Sequence, residues 1–290
     1  TVQKHQPSFE YRVLLYPDAY DEDFRDWHKL DWHLDDFSVW GHSFDKLLPP
    51  GTYFKTNPDF FALYEGKRMA ESICMTNDSV IELVTNKMQK VIDENPNLSF
   101  YSVSQNDNAI YCECDKCRLL NEKYGGPQGS LYSFLNKIAI RFPKTKIVTL
   151  AYLHTYKPPI DLPLEKNIYT LFCPIELNRG KAIIDDTDDT FFIKTLQNWD
   201  KAASHLYFAD NYKLFKQNNV KGVFVQGYAD VPGDFTELRQ YLLAKLLWNT
   251  KIDIEATTDD FLRGFYGKAA PYVKKYLNQL TENQLKSNAV

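Results

Sequence analysis

A polar run, Ser104-Gln105-Asn106-Asp107-Asn108, follows the apolar stretch Leu98–Val103. Amides and a carboxyl at the end of a strand can bind a polyhydroxylated ligand and give it a proton. A general acid needs its carboxyl within reach of a leaving oxygen, and Asp107 is the candidate. The same Asn-Asp-Asn composition also makes ordinary turns.

Other strand ends carry comparable groups. Cys173-Pro174-Ile175-Glu176-Leu177-Asn178-Arg179 offers Glu176 as a base or orienting carboxylate, with Arg179 to pair with it. The plainer reading is a structural Glu–Arg ion pair. Trp40-Gly41-His42 offers an indole to stack on a sugar face and an imidazole to bond its hydroxyls, or else a core Trp beside a hydrogen-bonded His. Gln226-Gly227-Tyr228 suits hydroxyl recognition, although its glycine serves equally to turn the backbone. Tyr152 and Tyr156 are candidate pocket walls ahead of a proline-stiffened loop.

The sharpest local pattern is Cys112-x-Cys114-x-x-Cys117, in a chain with only five cysteines. Structural zinc wants four ligands, so Cys74, Cys173 or a His would have to complete the set. A disulfide pinning the loop is the alternative. An iron–sulfur cluster also wants four cysteines, and a catalytic thiol lacks a neighbouring His. No nucleophile elbow, HExxH or Walker loop occurs, so nothing points to hydride or phosphoryl transfer, and no organic cofactor is required. The acidic run Asp185–Asp189 lacks the Gly and Glu of a calcium loop and reads as a solvated helix start.

These groups need a scaffold that brings strand ends together. Seven apolar runs read as strands: Phe9–Tyr16, Phe37–Trp40, Leu98–Val103, Lys146–Tyr152, Asn167–Cys173, His205–Phe208 and Gly222–Gln226. Several are apolar throughout, as buried parallel strands are. A hairpin-like insertion is expected over Tyr53–Tyr64 and Ser72–Met75. Helical spacing appears in Asn77–Asn95, Leu131–Arg141, Thr190–Ala203, Asp210–Asn218, Thr236–Trp248, Asp259–Phe265 and Ala270–Leu280. The alternation predicts an α/β fold with a parallel sheet, specifically a TIM-type (β/α)8 barrel whose eighth strand is weak or outside the chain. A doubly wound sheet is the alternative, but no Gly-rich phosphate loop follows the first strand. No repeat or linker composition interrupts residues 1–290, which read as one barrel domain. After Phe208 the next helix begins at once, so the loop a barrel would place on its active face is expected to be missing.

Composition narrows the classes further. In 290 residues, 34 Lys+Arg balance 38 Asp+Glu to a net charge of −4, which is no nucleic-acid footprint. Aromatics make up 15%, and glycines number only twelve, which excludes disordered and collagen-like classes. No apolar run reaches the ~20 residues of a membrane span. The chain opens at Thr1 without a signal-peptide pattern and reads as a mature form or a piece of a larger protein.

Several stretches together resemble a known family: Pro49–Arg68 (PPGTYFKTNPDFFALYEGKR), Ile73–Asn77 (ICMTN), Ser102–Cys117 (SVSQNDNAIYCECDKC), Thr149–Tyr152 (TLAY), Gly222–Gly227 (GVFVQG), Glu237–Asn249 (ELRQYLLAKLLWN) and Phe265–Gly267 (FYG). The chain is similar to a domain-of-unknown-function group of Bacteroidetes glycan-utilisation proteins that includes glycoside hydrolase family 163, the endo-β-N-acetylglucosaminidases. The resemblance implies a TIM-type barrel, secretion to the periplasm or cell surface, and hydrolysis of a complex glycan such as an N-glycan. More distantly it extends to the barrels of α-glucuronidases and β-hexosaminidases. Asp107 stands where their leaving-group acid stands. By the same resemblance the substrate's own N-acetyl group would attack the anomeric carbon, with Asn106, Glu176 or Tyr228 holding the acetamide. Substrate contacts would come from Trp40, His42, Tyr152, Arg179 and Gln226. The family's Trp-Asp-Tyr run after the strand ending at Phe208 is absent, as are its usual flanking β-sandwich domains. A non-catalytic glycan-binding barrel is the competing reading.

Overall fold

In a computed structural model the described residues are 6–175, 190–203, 205–208, 212–227 and 233–287. Among them run eight strands: β1 (Tyr11–Leu15), β2 (Phe61–Tyr64), β3 (Lys67–Ile73), β4 (Tyr101–Ser102), β5 (Ile147–Ala151), β6 (Ile168–Phe172), β7 (His205–Phe208) and β8 (Val220–Gln226). The fold is α/β with parallel strands, but the described residues show no clear eight-stranded barrel: β2 and β3 form a separate antiparallel pair. The chain divides into two compact units, one of Thr1–Asp31, Ile175–Lys194 and Phe208–Val290, the other of Trp32–Pro174 and Thr195–Tyr207.

In the first unit β1 pairs in parallel with β8, from Tyr11 opposite Gly222 to Leu15 opposite Gln226. Four of the five β1 residues are buried, among them Arg12. A buried guanidinium must have acceptors for its donors. Arg12 finds them in the carbonyls of Phe9 and Lys29, both at 2.7 Å, with the Asp31 carboxylate 3.7 Å away. Burial lowers its pKa, and Asp31 offsets part of that. The helix expected from Asp259 starts earlier, spanning Ile254–Tyr266, because the Asp253 carboxylate caps it by accepting from Ala256 N at 3.0 Å. Lys274 of the last helix, Ala270–Ser287, bonds back to Glu255 and Asp259 at 2.7 and 3.0 Å.

In the second unit the strand order is β7-β6-β5-β4, with β4–β5 and β5–β6 parallel. Every residue of β5 (IVTLA) and β6 (IYTLF) is buried, the pattern of a parallel sheet covered on both faces. The expected strand Phe37–Trp40 shrinks to one parallel bridge between Phe37 and Phe100. It has no room to be longer: helix His33–Asp36 ends just before it, and Gly41 turns the chain with φ +70° just after. The insertion is an antiparallel hairpin, β2–β3, closed at Glu65-Gly66 with both residues at positive φ, the combination a type I′ turn requires.

Helix Asp78–Glu94 is capped by Asn77, whose side chain accepts from Ser79 N at 3.0 Å. Helix Gln128–Ala139 buries Leu131, Phe134, Leu135 and Ile138 as its spacing predicts. Trp199 is fully buried, its indole N–H donating to the Tyr156 carbonyl at 2.8 Å and its ring 5.5 Å from Tyr132. Helix Asp115–Tyr124, which starts within the cysteine pattern, is not marked by the sequence, because few of its residues are apolar.

Candidate active site

The ends of β4 and β5 build the site in the second unit. Beyond β4 the chain descends through buried Val103, Ser104 and Gln105 before Asp107 emerges into solvent, its side chain 69% exposed. The buried residues hold the descent in place. Ser43 and Phe44 donate their N–H groups to the Ser104 carbonyl at 3.2 and 3.1 Å. Ser43 Oγ accepts from Ser104 N at 2.9 Å, and Leu150 N donates to Ser104 Oγ at 3.1 Å. The Gln105 amide donates to Thr155 Oγ1 at 2.7 Å and to the Tyr152 carbonyl at 3.3 Å, which fixes the turn after β5. Leu153 in that turn takes φ +49°.

Two expected site residues meet Asp107. The Tyr152 hydroxyl donates to Asp107 Oδ1 at 2.9 Å. His42 Nε2 lies 3.9 Å from the same oxygen, and the His42 and Tyr152 rings are 5.7 Å apart. His42 Nδ1 lies 2.6 Å from the Gln105 carbonyl. A carbonyl only accepts, so the proton sits on Nδ1, and in the neutral ring the Nε2 lone pair faces Asp107. A carboxyl flanked by a phenol and an imidazole can exchange a proton with a bound hydroxylated ligand.

Asn106 is anchored at both ends of its amide, accepting from Asp45 N at 3.2 Å and donating to the Glu71 carbonyl at 2.9 Å. Asn108 also donates to Glu71 O, at 3.0 Å, and accepts from Ile110 N at 2.9 Å, the turn chemistry its composition suggested. Trp40 packs edge-on against His33 and Phe37, with centroids 4.9 and 4.8 Å apart. Gln226 is exposed at the end of β8 in the first unit. Glu176, Arg179, Tyr228, the run Asp185–Asp189 and the connection after Phe208 lie outside the described residues.

Gln105, Ser43 and Thr155 were not singled out by the sequence. Gln105 stands in the polar run after Val103, and Ser43 and Thr155 carry only the signal of small polar residues near strand ends. His154 is a further surprise: both ring nitrogens are buried without a hydrogen-bond partner, and burial lowers its pKa to about 4. Its ring lies 5.4 Å from that of Tyr111.

The cysteines converge beside this loop. Cys74, just past β3, joins Cys112, Cys114 and Cys117, and the four sulfurs all lie within 4.8 Å of one another. The fourth member of the set is therefore Cys74. Cys173 stands apart at the end of β6, its thiol pushed up to about 12 by burial. None of the five is joined in a disulfide.

No helix among the described residues is long and apolar enough to cross a membrane. A comparison with curated proteins found no match. Among solved structures the fold is similar to that of an O-GlcNAc hydrolase mutant from Thermobaculum terrenum, with a TM-score of 0.53 and 12% identity. The match covers 93% of this chain and 66% of that one, so the chain spans just under two thirds of the neighbour's length. The model of the family described as domain of unknown function DUF4838 matches residues 1–210 and 208–278, two stretches that meet at the connection following β7. Matched over nearly its whole length, the chain belongs to the DUF4838 family.

Proposed function

We propose that this chain is a glycoside hydrolase of barrel class acting on a complex glycan, with Asp107 as general acid/base. The observation that carries the reading is the placement of Asp107: solvent-facing past a parallel strand, bonded by Tyr152 and faced by His42. A proton donor at the strand end of an α/β scaffold is where such enzymes work. The glycosidase-like fold and the family membership support the same class.

The finer reading follows the resemblance to glycoside hydrolase family 163. The (β/α)8 barrel forms one domain over residues 1–290, and cleavage is endo-β-N-acetylglucosaminidase-like. The substrate's N-acetyl group attacks the anomeric carbon with retention, and Asp107 protonates the departing oxygen. By the same resemblance Asn106, Glu176 or Tyr228 holds the acetamide, and Trp40, His42, Tyr152, Arg179 and Gln226 contact sugar. The natural setting is the periplasm or cell surface of a glycan-utilising bacterium.

One observation favours a glycan-binding barrel without turnover: the Trp-Asp-Tyr run that the resemblance expects after Phe208 is absent from the sequence. Glycan release from a complex N-glycoprotein, read by mass spectrometry for the parent and for Asp107→Asn, separates the two. Hydrolysis predicts release by the parent and a loss of at least about 100-fold in the variant. No release by either, with binding by both on a glycan array, establishes the binding barrel instead.

A further inference from the structure

The cysteine cluster is independent of the glycan reading. Its four sulfurs come from two stretches of chain: Cys74 follows the hairpin, while beyond Asp107 Cys112 lies in the loop, Cys114 precedes helix Asp115–Tyr124 and Cys117 sits in its first turn. Cys74, Cys112 and Cys117 are buried, and Ala62, Leu63 and Ile110 pack around them. A tetrahedron with metal–sulfur bonds of about 2.3 Å has edges of about 3.8 Å. The Cys74–Cys114 separation is 3.6 Å, and no pair exceeds 4.8 Å. A disulfide would need about 2.05 Å. A cluster of several irons is larger than one ion and would hold its sulfurs further apart.

Thiolates packed together need donors aimed at them. Leu63 N donates to Cys112 Sγ at 3.4 Å. Thr76 Oγ1 lies 3.1 Å from Cys117 Sγ, 3.6 Å from Cys114 Sγ and 3.7 Å from Cys74 Sγ. The Thr76 hydroxyl thus has three sulfurs within reach of its one proton and can orient the thiolates around an ion.

We propose that Cys74, Cys112, Cys114 and Cys117 form a tetrathiolate zinc site that ties the β2–β3 hairpin to the loop carrying Asp107. The tie is short. Cys112 lies five residues past Asp107, Glu113 N donates to the Leu63 carbonyl at 2.6 Å, and Asn106 and Asn108 both bond Glu71 of β3. Four coordinated thiolates leave no position open, so the ion is structural. On binding, each thiol still protonated releases its proton, and no electron is transferred.

The test is elemental analysis of the purified chain, with thiol counting under denaturing conditions. About one zinc per chain and five free thiols are expected. Replacing zinc by cobalt should give intense sulfur-to-metal charge-transfer absorption and tetrahedral d–d bands. Cys114→Ser should abolish the stoichiometric metal, whereas Cys173→Ser should retain it. Thr76→Val should weaken metal affinity about tenfold. Chelation should raise hydrogen exchange in residues 104–117 whether or not any glycan is cleaved. A chain that stays metal-free after incubation with zinc overturns the proposal, as do disulfides among the four or stoichiometric iron in place of zinc. If Cys114→Ser does not fold, the metal content and cobalt spectrum of the parent still decide.

Discussion

The Tyr152 hydroxyl donates to Asp107 Oδ1 at 2.9 Å, joining residues 45 positions apart. Each hangs from a different strand end, and Gln105 braces both. Tyr152→Phe removes that one bond and leaves the ring. Glycan release should fall about tenfold, the worth of one hydrogen bond, and the urea midpoint should barely move. Unchanged release would deny Tyr152 any part in the reaction.

Gln105 is almost fully buried, and its amide bonds Thr155 Oγ1 and the Tyr152 carbonyl. Gln105→Leu keeps the volume, removes both bonds and takes from the buried Ser104 hydroxyl the Gln105 Oε1 it donates to at 3.2 Å. A loss of about 1–3 kcal/mol in urea unfolding is expected. A neutral result would show that the two turns hold without it.

Helices Asp115–Tyr124 and Gln128–Ala139 touch at Gly129. A Cβ there would meet the Leu120 carbonyl oxygen at 2.5 Å and Tyr124 Cβ at 2.9 Å. Backbone cannot swing away as a side-chain tip can. Gly129→Ala should therefore lower stability by about 1–3 kcal/mol even though alanine is the better helix former. Thermal unfolding would register it, and a stabilised variant would contradict the close packing.

His154 and His28 are each lowered to about 4, both mainly by burial, His28 further by Lys245. Between pH 6.5 and 4 the unfolded chain binds protons on these residues that the folded chain refuses. Their contribution to stability is thus complete above pH 6.5 and is lost as pH falls toward 4. For His154 the loss is about 2 kcal/mol, allowing for its partial exposure. Urea midpoints measured from pH 7 to 4 should fall, and His154→Phe should flatten that slope. An unaltered slope would place the titration elsewhere.

Much of the framework was legible because it is local. The Asn77 cap, the apolar face Leu131–Ile138 and the mostly apolar runs around β5 and β6 mark elements whose period or cap is written in adjacent residues. Element ends were less legible. Phe37–Trp40 has a strand's composition, yet its neighbours allow a single bridge, while helix Asp115–Tyr124 is too polar for its period to show.

From its residues alone, then, this chain declares an α/β alternation, a candidate proton donor at Asp107 and three clustered thiols. Those are properties of neighbours in sequence, and short-range sterics and hydrophobic period suffice to express them. Only the tertiary structure chose Cys74 over Cys173 as the fourth thiol, paired Tyr152 and His42 with Asp107, and tied Asn106 to the backbone of Asp45 and Glu71. Those choices depend on which strand ends lie side by side, and sheet order is set by burial across the whole core rather than by any local stretch of chain.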